Sequence, residues 1–77
     1  MTRLPIIGGR QLIRLLEQQG FFVSRVQGSH YMMRHPDGRR TAVPLHASRD
    51  IGVVLLRKIL REVEIGPDVY VSLVQQL

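Results

Sequence analysis

Three histidines, ten arginines and no cysteine are the side chains from which this 77-residue chain can build chemistry. Metal chemistry fits poorly. Zinc sites repeat His or Cys at short fixed spacings, whereas His30, His35 and His46 are irregularly placed, with no carboxylate cluster around them. Covalent catalysis fits no better: Ser29 precedes His30, but neighbours on a strand point to opposite faces, and no nucleophile elbow surrounds the serine. Gly8-Gly9 offers backbone N–H groups to an anion ahead of a helical segment, without the lysine of a phosphate-binding loop. What remains is acid–base chemistry on a phosphodiester. Imidazole titrates near neutrality and both takes and gives protons, and arginine's planar fork grips phosphate oxygens in pairs. RNA carries its own nucleophile, the ribose 2′-hydroxyl. A histidine that takes its proton, or protonates the leaving 5′-oxygen, needs only cations to hold the phosphate.

Which histidine is so placed depends on the elements that carry it. Leu12, Ile13, Leu15 and Leu16 recur at helical spacing, which predicts an amphipathic helix over 9–19 that ends at a left-handed Gly20. Three β-prone runs follow, Phe21 to Gln27, His30 to His35 and Arg39 to Pro44, separated by Gly28-Ser29 and by Pro36-Asp37-Gly38. The second separator has the chemistry of a three-residue hairpin loop, with proline at its first corner and glycine at the left-handed position. His35 then pairs with Arg39, and alternation puts Tyr31, Met33, Thr41 and Val43 on one sheet face and His30, Met32, Arg34, Arg40 and Ala42 on the other. The first face is the better core, so helices should cover it and leave His30, Arg34 and Arg40 on an open surface. The residues alone equally allow a surface histidine with arginines nearby by chance.

A second helix is expected over 49–64, capped by Ser48, with Asp50 in its first turn, Ile51, Val54, Leu55, Ile59 and Val63 inward, and Arg57, Lys58 and Arg61 as a basic patch. Gly66-Pro67 then starts a short last helix with Val69, Tyr70, Leu73 and Val74 inward. The order predicts an α+β two-layer sandwich of the double-stranded-RNA-binding-domain kind, a single domain over 1–77.

Composition narrows the partner. The net charge of +5 is almost all arginine, with Lys58 the one lysine, which favours nucleic acid or an acidic protein. At 44% apolar and 22% charged the chain is too hydrophobic for a disordered basic tail. No apolar run approaches the roughly 20 residues of a membrane span, and nothing resembles a signal peptide, so a cytoplasmic protein is expected.

Gly28-Ser29-His30-Tyr31, then Arg34 to Thr41, Val43-Pro44 with His46, and Leu56-Arg57-Lys58-Ile59-Leu60-Arg61 together resemble the HicA toxins of bacterial and archaeal toxin–antitoxin systems. Leu15, Glu17, Gly20 and Phe21 fit the same family. The resemblance implies a double-stranded-RNA-binding-domain-like fold and cleavage of mRNA without a metal or other cofactor. It also implies an essential histidine at His30 and a HicB-like antitoxin that covers the active surface. Gly28 and Ser29 would shape the turn presenting His30, Arg34 and Arg40 would hold phosphate, and Arg57, Lys58 and Arg61 would extend the RNA track. Two segments depart from the family pattern: Val53-Val54-Leu55-Leu56, with only Gly52 nearby, stands where a glycine-threonine pair commonly precedes the Leu-Arg of the second helix, and Glu62-Val63-Glu64-Ile65 stands where an alanine-glycine is more usual. Two other classes stay open, an RNA-binding module that does not cut and a domain that docks an acidic partner.

Overall fold

A computed structural model describes residues 3–46 and 49–77. α1 spans Gly9–Gln18 and buries Leu12, Leu15 and Leu16 completely, each burial contributing about 1.5–3 kcal/mol relative to exposure. It ends as its sequence requires. Gly20 is left-handed (φ 97°), its N–H donates to Glu17 O at 3.1 Å, and the Phe21 N–H donates to Leu16 O at 3.1 Å, the paired bonds of a Schellman cap.

β1 (Phe22–Gln27), β2 (His30–Arg34) and β3 (Arg40–Pro44) form an antiparallel sheet in the order β1-β2-β3. The β2–β3 register is the expected one: His30 faces Pro44, Met33 faces Thr41 and Arg34 faces Arg40. Its cause is the loop, where Gly38 is left-handed (φ 101°), its N–H donates to His35 O, and the His35 N–H donates to Arg39 O at 2.8 Å. Gly28 turns β1 into β2 with a positive φ of 61° ahead of Ser29, which suits a two-residue type II′ turn.

Met33, Thr41 and Val43 are buried beneath the helices, and the face bearing His30 and Arg34 is exposed. The helix–sheet–helix order with one covered face is that of the double-stranded-RNA-binding-domain-like sandwich.

α2 differs from expectation. It spans Val53–Glu62 with Gly52 as N-cap, so Asp50 is not in its first turn, and the expected cap Ser48 lies outside the described residues. Tertiary pairing competes with the helix here: Gly8 bridges Asp50, and the Ile51 N–H donates to Ile7 O at 2.9 Å, which holds the chain ahead of Gly52 extended. The buried stripe is Leu56, Ile59, Leu60 and Val63, and Val54, expected inside, is 80% exposed. α3 spans Pro67–Gln75 with proline at its first turn. Tyr70 is fully buried and donates to Pro5 O at 2.6 Å, whereas Val69, one position off that face, is 55% exposed. Leu4 and Ile7, in a segment to which the sequence assigned no role, complete the core.

Candidate active site

His30 opens β2 immediately after the Gly28-Ser29 turn, and its side chain is exposed on the uncovered face. The turn is held from outside the hairpin, because Ser29 O accepts the Leu45 N–H at 2.7 Å and so continues the ladder beyond Pro44. Among the described residues no hydrogen bond occupies the His30 ring, which leaves both nitrogens for a substrate.

Arg34 and Arg40 share that face and stand opposite each other. They do not flank His30. Four residues at about 3.3 Å each separate Arg34 from His30, roughly 13 Å along the strand. The cation nearest by register is Arg25, which pairs with Met32 and directs a guanidinium nitrogen to Gln27 Oε1 at 3.4 Å, and Gln27 is itself paired with His30. The signal for Arg25 was the Gly28-Ser29 turn, since a two-residue loop pairs Gln27 with His30 and therefore Arg25 with Met32; beyond Arg25 a bulge interrupts β1, and the register shifts between Val23 and Arg25, with Ser24 Oγ donating to Met32 O at 3.1 Å. The shift places Val23 opposite Met33 on the covered side and Phe22 opposite Arg34 on the open side, 48% exposed.

A groove of about 790 Å³ takes in both sides of the sheet: Phe22, Arg25, Met32, Arg34 and Arg40 from the open face, Met33 and Thr41 from the covered face, and Leu55, Lys58 and Ile59 from α2. Glu62 also lines it and accepts the Thr41 hydroxyl at 2.8 Å. His30, Gly28 and Ser29 are not part of its lining. The expected basic patch on α2 divides. Lys58 joins the groove, while Arg57 and Arg61, one turn apart on another side of the helix, line a separate cleft with Leu60 and Ile65.

The other two histidines have different surroundings. His35 is structural: Nε2 contacts Gln19 O at 3.1 Å, Nδ1 accepts the Asp37 N–H at 3.1 Å, and its ring meets Phe21 edge-on at 4.9 Å. Nδ1 also lies 3.0 Å from Asp37 Oδ1. Asp37 is held below the usual carboxylate range, chiefly because the Arg39 N–H donates to it, and then by the Arg39 guanidinium and by His35. Arg39 reaches from Asp37 (2.8 Å) to Val63 O (2.5 Å) and lies over the Phe21 ring, so this cation serves the hairpin. His46 is exposed beside Gly9, Arg10 and Arg49 in a cleft at the start of α1. Among the described residues no three His, Asp or Glu side chains gather to hold a metal ion.

The family model for the HicA toxin of bacterial toxin–antitoxin systems matches residues 9–65, a stretch that runs from the first residue of α1 to the residue after the α2 cap. The chain belongs to the HicA toxin family. No curated protein matches it in a parallel comparison. Membership in the HicA family implies an antitoxin partner. No helix among the described residues of this HicA toxin is long and apolar enough to cross a membrane.

Proposed function

We propose that this chain is an endoribonuclease toxin that cleaves mRNA by metal-independent acid–base catalysis at His30 and is restrained by a HicB-like antitoxin. One observation supports this most. His30 stands exposed and unengaged at a strand end tied to Leu45 through Ser29 O, on a sheet face whose other charged side chains, Arg25, Arg34 and Arg40, are all cationic.

The imidazole removes the 2′-hydroxyl proton as that oxygen attacks the adjacent phosphorus, or protonates the 5′-oxygen as the P–O bond breaks. The bond formed is O2′–P and the bond broken is P–O5′, so the products are a 2′,3′-cyclic phosphate and a 5′-hydroxyl. One histidine supplies one of the two proton transfers, and water or the substrate supplies the other. Arg25 is the cation within reach of the reacting phosphate. Arg34, Arg40 and Lys58 hold neighbouring phosphates in the groove, and Gly28 and Ser29 set the turn that aims His30. The whole chain acts as one toxin domain, in the cytoplasm where its substrate is. Arg57 and Arg61 remain proposed RNA contacts of lower weight, since they line a different cleft.

The reading is tested by incubating purified protein with labelled single-stranded mRNA in EDTA and characterising the new ends. Fragments with 5′-hydroxyl ends are expected, which a kinase labels without prior phosphatase treatment. Intact RNA would leave a binding module, and 5′-phosphate ends would exclude the 2′-hydroxyl as nucleophile.

A further inference from the structure

Phe22 is an aromatic ring turned outward by a device in the backbone. The adjacent Phe21 is 3% exposed in the core, and the bulge at Ser24 re-aims the strand so that Val23 packs inward and Phe22 faces the open side at 48% exposure. A single exposed apolar residue usually means nothing. This one is paired across the strands with Arg34, which is paired in turn with Arg40, and it shares the open face with Arg25 and Met32; all five line the 790 Å³ groove. The acidic member of that lining, Glu62, is engaged by Thr41.

An aromatic ring among guanidinium groups on an exposed sheet is the arrangement that receives unpaired nucleobases, the ring stacking on a base while the cations hold the flanking phosphates. We propose that Phe22 is the stacking platform for one unpaired base of the RNA, with Arg34 beside it on the adjoining phosphate, so that the substrate of this site is single-stranded. The proposal rests on the reading of the chain as an RNA-cleaving toxin and adds to it a positioning residue. Geometry gives the reason for excluding a duplex. Paired bases hide their faces in the stack, and a platform roughly 13 Å from His30 along the sheet can be met only by a strand whose bases splay toward the protein while its backbone passes the histidine. Phe22 touches no reacting atom. It sets which nucleotide comes to rest in the groove and therefore which phosphate reaches His30.

The test uses the full chain carrying His30→Ala, so that bound RNA is not consumed, and reads binding of a fluorescent single-stranded oligoribonucleotide by anisotropy. Adding Phe22→Leu keeps an apolar side chain but removes the π-face, and the dissociation constant is expected to rise about five- to one-hundred-fold. Phe22→Trp should bind within about threefold of the parent, since base–aromatic stacking tolerates a change of ring. A series of oligonucleotides with one 2-aminopurine each supplies a signature that a structural role would not move. One position should be quenched on binding to the protein that retains Phe22 and not on binding to the Phe22→Leu variant. Equal binding by these two proteins, or duplex RNA bound as tightly as single strands, would overturn the proposal. So would unchanged RNA binding with weakened antitoxin binding, which would assign Phe22 to the protein interface. If the parent protein binds no RNA and the unsubstituted chain cuts none, the ribonuclease reading itself has failed; if both occur and Phe22→Leu is silent, only this inference falls.

Discussion

Glu64 occupies a backbone conformation that glycine holds at far lower cost. Its φ is 58°, and it is the residue of the α2 cap at which the Glu64 N–H donates to Arg61 O at 3.2 Å and the Ile65 N–H to Leu60 O at 3.0 Å. The same geometry at the end of α1 is carried by Gly20. A left-handed conformation costs an L-residue with a Cβ about 1–2 kcal/mol, and the greater freedom of glycine in the unfolded chain returns about 0.5–1 kcal/mol of that. Glu64→Gly should therefore stabilise the protein by about 0.5–1 kcal/mol, a rise in melting temperature of about 2–8 °C for a domain of this size. Glu64 also lines a small cleft with Arg39 and Arg40, so loss of its charge needs its own control. An exposed ion pair is worth at most about 1 kcal/mol, and Glu64→Gln measures it directly. Glu64→Ala keeps the Cβ and should give no gain. Urea and thermal unfolding of the four proteins decide the matter. A glycine variant no more stable than the glutamine variant, or an alanine variant as stable as the glycine one, would refute the strain argument.

Other expectations follow from particular contacts. A Cβ at Gly9 would lie 2.5 Å from Pro44 O, a backbone atom with little room to move, so Gly9→Ala should cost about 1–3 kcal/mol in urea unfolding and loosen the strand end beside His30. Tyr70→Phe removes the bond to Pro5 O and should cost about 1–3 kcal/mol by leaving that carbonyl unpaired. Burial pushes the Tyr70 hydroxyl up to about 12 from 10.0, so the unfolded chain ionises first and stability should fall as pH rises from about 10 to about 12; Tyr70→Phe should flatten that decline. Asp37 has the opposite sign: its contribution is present above the ordinary value of 3.8 and is lost as pH falls through its lowered folded value. Asp37→Asn should accordingly flatten the acid limb of the stability profile. In RNA binding, Lys58→Ala should lower the salt dependence by about one phosphate contact, and the double variant Arg57→Ala/Arg61→Ala should alter it less.

The β2–β3 hairpin was legible in the sequence because Pro36-Asp37-Gly38 sets a loop length, and loop length sets every cross-strand pair. The end of α1 was legible because Gly20 is the chemical form of a left-handed cap. The start of α2 was not, because the residues ahead of Gly52 are held by the bridge of Asp50 to Gly8 and by the Ile51 N–H donating to Ile7 O, some 40 positions earlier, and local propensity carries no trace of these contacts. The open face of His30, Arg34 and Arg40 was read correctly, but the same alternation that put them on one face also set them far apart along it. Arg25 was within reach of the sequence, because the two-residue Gly28-Ser29 loop places it opposite Met32, whereas the side of Phe22 was not, because the bulge at Ser24 depends on how β1 meets β2 and no turn or cap announces it. Arg57 and Lys58 are neighbours in sequence, yet one helical step of about 100° sends them to different clefts.

The central claim, that His30 carries the proton in RNA cleavage, is tested most directly by single-turnover cleavage of a single-stranded RNA with protein in excess, comparing the unsubstituted chain with His30→Ala at matched occupancy of the RNA. A loss of about 10²–10⁴-fold in the cleavage rate constant, with RNA affinity changed little, is the expected result for a general acid or base. Equal rate constants for the two proteins would contradict it.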